Sequence, residues 1–79
     1  MTNIEKYNAV FCENLQITEA LLPNLKYQDV SLWDSVGHMT LIAAIEEAFD
    51  IMMETDDIID LSSYEKGKDI LKKYEVNIE

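Results

Sequence analysis

The sequence predicts an all-α fold: a small four-helix bundle with a long loop between helices 1 and 2 and a short third helix. Three observations carry that prediction. Apolar residues recur at helical spacing in separate stretches, residues suited to capping precede those stretches, and the only Pro, Pro23, falls where the periodicity is lost. No repeat, low-complexity tract or composition shift divides the chain, so residues 1–79 read as one domain.

The first helix is expected over roughly residues 3–15. Thr2-Asn3-Ile4-Glu5 matches a capping box, in which hydroxyl and carboxylate satisfy each other's backbone N–H. Ile4, Tyr7, Phe11 and Leu15 then fall on one face. From Gln16 to Trp33 the period disappears. Leu21, Leu22, Leu25, Tyr27, Val30, Leu32 and Trp33 can still anchor that stretch, which favours an ordered crossover over disorder. Trp33 is expected as an aromatic plug that packs the loop onto the bundle.

Helix 2 is expected from Ser35 to Phe49, with Asp34 as its N-cap. Thr40 to Phe49 contains no Pro and reads as helix. A 100° wheel puts Leu41, Ile42, Ile45, Ala48 and Phe49 on the core face. The short third helix follows Thr55, with Ile58, Ile59 and Leu61 expected inward. Ser62-Ser63-Tyr64-Glu65 reads as a second capping box, opening a helix to about Tyr74. Its apolar stripe is Tyr64, Ile70, Leu71 and Tyr74, with Lys66, Lys68, Lys72 and Lys73 in solvent.

Size and charge restrict function before any motif is considered. A chain of 79 residues buries only about 60–65% of its unfolded surface, so its core is thin. Such a chain has little room for a deep catalytic cleft and suits a module on which other proteins act. The formal net charge is −10, with sixteen acids against six Lys and no Arg. That balance argues against nucleic acid and for partners with basic surfaces. Seven acids and no base lie between Glu46 and Asp60, so self-repulsion is expected, relieved by salt or by a divalent ion shared between adjacent carboxylates. Asp56, Asp57 and Asp60 lack the pattern of a calcium loop, and no metal-ligating set is expected. The single Cys12 fits a reducing compartment. The first residues lack a basic, apolar leader and no apolar run approaches 18 residues, so membrane insertion is not expected. A cytoplasmic monomer is the expectation.

Trp33-Asp34-Ser35-Val36-Gly37-His38-Met39 is the stretch with most chemistry in it. It sets a serine where a helix begins, at unpaired N–H groups and a partial positive charge that suit a phosphate ester. This run, the Ile45-Glu46-Glu47-Ala48-Phe49 end of the helix, the acidic balance and the element order resemble the acyl carrier proteins along nearly the whole chain. The resemblance implies that Ser35 carries 4′-phosphopantetheine, transferred from coenzyme A by a phosphopantetheinyl transferase, with Asp34 beside the site where that enzyme and its Mg²⁺ act. It implies transport of acyl or aminoacyl thioesters with no catalysis on the domain's own side chains. The partners implied are a loading ligase and a ketosynthase or acyltransferase.

On the exposed side of helix 2, Val36, Met39 and Ala43 form an apolar strip beside Glu46 and Glu47. These five residues are the expected docking surface for basic partners. His38, three residues beyond Ser35, invites a catalytic reading, but no Gly-x-Ser-x-Gly elbow or oxyanion arrangement accompanies it. A packed histidine is expected instead. Val36-Gly37-His38-Met39 departs from the acidic run usual in fatty-acid-synthesis carriers, and Gly37 and Trp33 point to a specialised bacterial biosynthetic pathway. The alternatives are a housekeeping fatty acid synthesis carrier and an unmodified acidic helical interaction module.

Overall fold

The computed structural model describes residues 1–78. Four α-helices follow in order: α1 (Asn3–Leu15), α2 (Ser35–Phe49), α3 (Thr55–Asp60) and α4 (Tyr64–Lys72). The long connection holds a fifth helical segment, a 3-10 helix over Glu19–Asn24 with Pro23 inside it. Among the described residues there is no strand, and Lys26 and Ser63 form one isolated antiparallel bridge. No helix among them is long and apolar enough to cross a membrane.

The capping chemistry sets the helix starts. At α1 the Thr2 hydroxyl accepts from the Glu5 N–H (3.3 Å) and the Glu5 carboxylate accepts from the Thr2 N–H (2.9 Å), completing the expected box. At α4 the Ser62–Glu65 box does not form. The Tyr27 N–H donates to the Ser62 carbonyl and the Tyr64 N–H to the Leu25 carbonyl, which keeps Ser62 and Ser63 extended beside the loop. The helix therefore starts one residue later, and the Ser63 hydroxyl caps it by accepting from the Lys66 N–H (3.0 Å). Gln16 and Asp50, both left-handed (φ 55° and 53°), stop α1 and α2.

One core joins the elements. Tyr7, Phe11, Trp33, Leu41, Ile45 and Leu71 are fully enclosed. The Trp33 and Tyr64 rings meet the Phe11 ring edge-on, with centroids at 5.6 and 5.4 Å, the arrangement that the ring quadrupoles favour. Trp33 thus plugs the loop onto the helices. Leu41, Ile42 and Ile45 are buried, with Ala48 and Phe49 packed against them.

In α3 the expectation is only partly met. Leu61 is buried and Ile58 half-buried, but Ile59 is 71% exposed. The inward position is taken by Asp57, 5% exposed, whose carboxylate accepts from Lys73 Nζ (2.8 Å) and from the Tyr74 hydroxyl. Two residues on, at 200° around the helix, Ile59 must point out. That hydroxyl in turn accepts from the Glu54 N–H (2.9 Å), so the chain after α4 clamps the start of α3. The four lysines expected in solvent are accordingly not all free. Lys73 pairs with Asp57, and Lys68 lies over the Tyr64 ring (4.7 Å to its centroid), where the negative face attracts it. The helix ends at Lys72, and Tyr74 lies in the turn beyond.

Candidate functional site

The loop before α2 is built by its own polar side chains. Asp29 accepts from the Lys26 N–H (2.9 Å), and Gln28, left-handed at φ 72°, donates its N–H to the Trp33 carbonyl (3.1 Å). This turn delivers Trp33 to the core and Asp34 to the helix start. Asp34 Oδ1 accepts from the Gly37 N–H (2.8 Å), while its carbonyl accepts from the His38 N–H (2.7 Å). Asp34 is therefore the N-cap. Ser35 follows as the first helical residue, exposed, and capping gives no reason for a serine there.

Gly37 has a steric cause. A Cβ at this position would lie 1.7 Å from the Leu32 carbonyl oxygen and 3.3 Å from Asp34 Oδ1. Glycine lets the loop backbone close against the first turn of α2. Gly37 and the buried Trp33 thus both have packing roles.

His38 has both ring nitrogens engaged. An indole N–H can only donate, so Trp33 Nε1 (2.9 Å) makes His38 Nδ1 the acceptor and leaves the hydrogen on Nε2. Nε2 then donates to the Ile58 carbonyl in α3 (2.7 Å). The imidazole lies nearly parallel to the Trp33 ring, at 14° between planes, and meets Tyr27 edge-on. It is the packed histidine the sequence led us to expect.

Sequence reasoning missed a cavity of about 410 Å³ between the head of α2 and α3. Ser35, His38 and Met39 line it from α2, together with Ile58, Ile59, Leu61, Ser62 and Tyr27. Its walls are mainly apolar, and its volume lies within the range of small-molecule sites. No local signal marks it in the sequence, because the exposure of Ile59 follows from Asp57 turning inward toward Lys73 and Tyr74.

The expected docking strip is mostly present on the surface. Val36 is 75% and Met39 55% exposed, and Ala43 and Glu47 are exposed beside them. Glu46 departs from the expectation. It is half-buried, and its Oε2 accepts from the Met53 N–H (2.9 Å), so it is committed to the α2–α3 connection and is not a free rim charge. Of the seven acids from Glu46 to Asp60, Glu46 and Asp57 are thus spent on the fold. Glu47, Asp50, Glu54, Asp56 and Asp60 remain exposed. Among the described residues no three His, Cys, Asp or Glu side chains converge to hold a metal ion. Cys12 is half-buried, and burial pushes its thiol pKa up, the reverse of an activated nucleophile.

No protein-family model matches this chain, and no curated protein or solved structure does.

Proposed function

We propose that this chain is a carrier of acyl or aminoacyl intermediates, held as thioesters on a 4′-phosphopantetheine arm attached to Ser35. One observation carries the reading: Asp34 does the capping, and the exposed Ser35 hydroxyl, free of that task, borders an apolar cavity. The residues fit the group, since an exposed hydroxyl at the positive end of a fifteen-residue helix suits a phosphodiester. When bound, the arm supplies the thiol on which cargo is held. The chain's own part is to present the Ser35 oxygen, to hold that helix start rigid through Asp34 and Gly37, and to offer a surface to partners. Asp34, whose Oδ1 accepts from the Gly37 N–H, would help to hold the transferase's Mg²⁺.

Val36, Met39, Ala43 and Glu47, with the other exposed acids, serve as the surface on which a phosphopantetheinyl transferase, a loading ligase and a ketosynthase or acyltransferase dock in turn. Such contacts are weak, and the tether supplies the effective concentration that affinity does not. The four-helix-bundle reading of the fold belongs to the same proposal, with α1 to α4 as the four members and the 3-10 helix as part of the connection. So do a specialised biosynthetic pathway and a cytoplasmic setting, the latter supported by the lone thiol.

Intact mass tests the reading. After incubation with coenzyme A, Mg²⁺ and a transferase of broad specificity, the protein gains one phosphopantetheine and Ser35→Ala gains none. A wild-type chain that stays unmodified leaves the acidic interaction module as the better account. Modification that persists in Ser35→Ala overturns Ser35 as the site.

A further inference from the structure

Trp33 and His38 occupy the two positions that straddle the start of α2. Trp33 precedes the Asp34 cap, and His38 is the fourth helical residue. An apolar pair at these positions commonly packs together and fixes the angle at which the chain enters a helix. Here a directed bond joins the pair: Trp33 Nε1 donates to His38 Nδ1 (2.9 Å), with the two rings nearly parallel, 14° apart. That bond has one polarity. The Ile58 carbonyl can only accept, so Nε2 carries the hydrogen, and the indole can only donate, so Nδ1 presents its lone pair. Turning the ring over would put carbon atoms at both places, so the imidazole is held in one orientation. The other end of the staple is equally fixed. The Trp33 side chain is fully enclosed, its backbone N–H donates to the Val30 carbonyl (3.1 Å), and its own carbonyl accepts from the Gln28 N–H (3.1 Å). Exposed Ser35 lies between these two anchors.

We propose that His38 is a positioning residue for the modification of Ser35. Acting through Trp33, it sets the angle at which the loop enters α2, and so the point at which the Ser35 hydroxyl meets the transferase. This rests on the carrier reading. The bond from the Gly37 N–H to Asp34 lies within the first turn and does not tie that turn to the core. The staple does, because Trp33 belongs to the core and His38 to the helix. Without it the helix stays capped, and Val36, Met39 and Glu47 keep their places on the surface, while the loop is free to enter at other angles. A transferase then docks as before on a hydroxyl that is misplaced, and misplacement by about 1 Å is enough to slow a reaction strongly. The loss therefore falls on kcat and not on KM.

Three substitutions separate this role from simple packing. His38→Leu keeps an apolar group and makes neither bond. His38→Asn puts a carbonyl oxygen at the reach of Nδ1, where it accepts from Trp33, and is too short for Ile58. Trp33→Phe keeps an aromatic ring and removes the same bond from the other side. Steady-state modification of each unmodified protein, with coenzyme A, Mg²⁺ and a transferase of broad specificity, is measured at a temperature where circular dichroism shows all of them folded. In His38→Leu and in Trp33→Phe kcat falls by about 3- to 10-fold, the worth of one hydrogen bond, with KM near wild type. His38→Asn restores kcat to near the wild-type value. Adding Trp33→Phe to His38→Leu costs nothing further, since the two remove one interaction. Where His38→Leu does not fold, Trp33→Phe alone against His38→Asn gives the same reading. Equal losses in His38→Leu and His38→Asn, additive losses in the double variant, or a change in KM alone overturn the assignment. So does a kcat that none of the substitutions alters in a wild type that is modified. A wild-type chain that accepts no arm overturns the carrier reading, and the assignment falls with it.

Discussion

Gly37→Ala is the substitution that probes the site most directly, because two known effects oppose each other there. In an ordinary helix interior, Ala in place of Gly stabilises by about 0.5–1 kcal/mol. At residue 37 the new Cβ would sit 1.7 Å from the Leu32 carbonyl oxygen, against about 3.4 Å for ordinary contact, so the loop or the helix must retreat by roughly 1.7 Å. Both partners are backbone, so no side-chain rotation relieves the clash. Overpacking of this kind costs about 1–3 kcal/mol, and losing the Asp34 cap on the Gly37 N–H adds about 1 kcal/mol. The clash wins. Gly37→Ala is expected to destabilise by about 1–3 kcal/mol net, with about 4–8 °C lost from Tm for each kcal/mol. Denaturation followed by circular dichroism measures the total, and fluorescence of Trp33, the single Trp, follows the loop. Ala43→Gly, at an exposed position of the same helix, sets the scale for propensity alone. Transferase modification of Ser35 should slow as well. A Gly37→Ala protein as stable as wild type, or more so, would refute the reasoning by showing that the Leu32 carbonyl moves aside freely.

Three further outcomes are expected. The Lys73 ammonium and the Tyr74 hydroxyl hold the Asp57 carboxyl below its usual 3.8, so its contribution is full above that value and is lost as pH falls through the folded value. Asp57→Asn should therefore flatten the acid limb of a stability-versus-pH profile below about pH 4, and an unchanged limb would remove Asp57 from the account. The same bonds raise the pKa of Lys73 and Tyr74, whose contributions hold below their usual 10.5 and 10.0 and are lost as pH rises through the folded values. Glu46→Lys should lower Tm by removing the acceptor for the Met53 N–H, whereas Glu47→Lys should leave stability within about 0.5 kcal/mol of wild type and slow transferase association at low salt. Equal Tm values for the two would mean that the Glu46 bond contributes nothing. With no group of three or more metal-ligating side chains among the described residues, NaCl and MgCl₂ at matched ionic strength should raise Tm alike, and a rise confined to low MgCl₂ would reveal an ion shared by two carboxylates.

Local rules made most of the fold legible. Thr2 and Glu5, Asp34, and the wheel of α2 each depend on residues within one or two turns, and each stands where the spacing put it. What escaped depends on partners distant in sequence. Asp57 turns inward because Lys73 and Tyr74 wait for it sixteen and seventeen residues later, and Ile59 is exposed as a consequence. Ser63 caps α4 in place of Ser62 because Leu25 and Tyr27 hold the preceding residues extended. Glu46 reaches past the end of its own helix to Met53, which no helical wheel can represent. The 3-10 helix at Glu19–Asn24 contains the Pro that reads as a breaker, and its short period leaves no four-residue rhythm to detect.

The site follows the same division. That a serine opens a helix behind an aspartate is local, and it was legible. That the aspartate is the cap was legible too; that its carboxylate takes the Gly37 N–H while Ser35 stands exposed requires the geometry. This matters because serine at a helix start is ordinarily explained by capping. Once Asp34 supplies the cap, an exposed Ser35 contributes little to stability, so Ser35→Ala should melt within about 0.5 kcal/mol of wild type, as surface substitutions do. The comparison with Asp34→Ala, which loses the cap and should fall by about 1 kcal/mol, makes the argument testable without any cofactor. If Ser35→Ala is the more destabilising of the two, the serine is a structural residue and the case for modification at this position fails on stability alone.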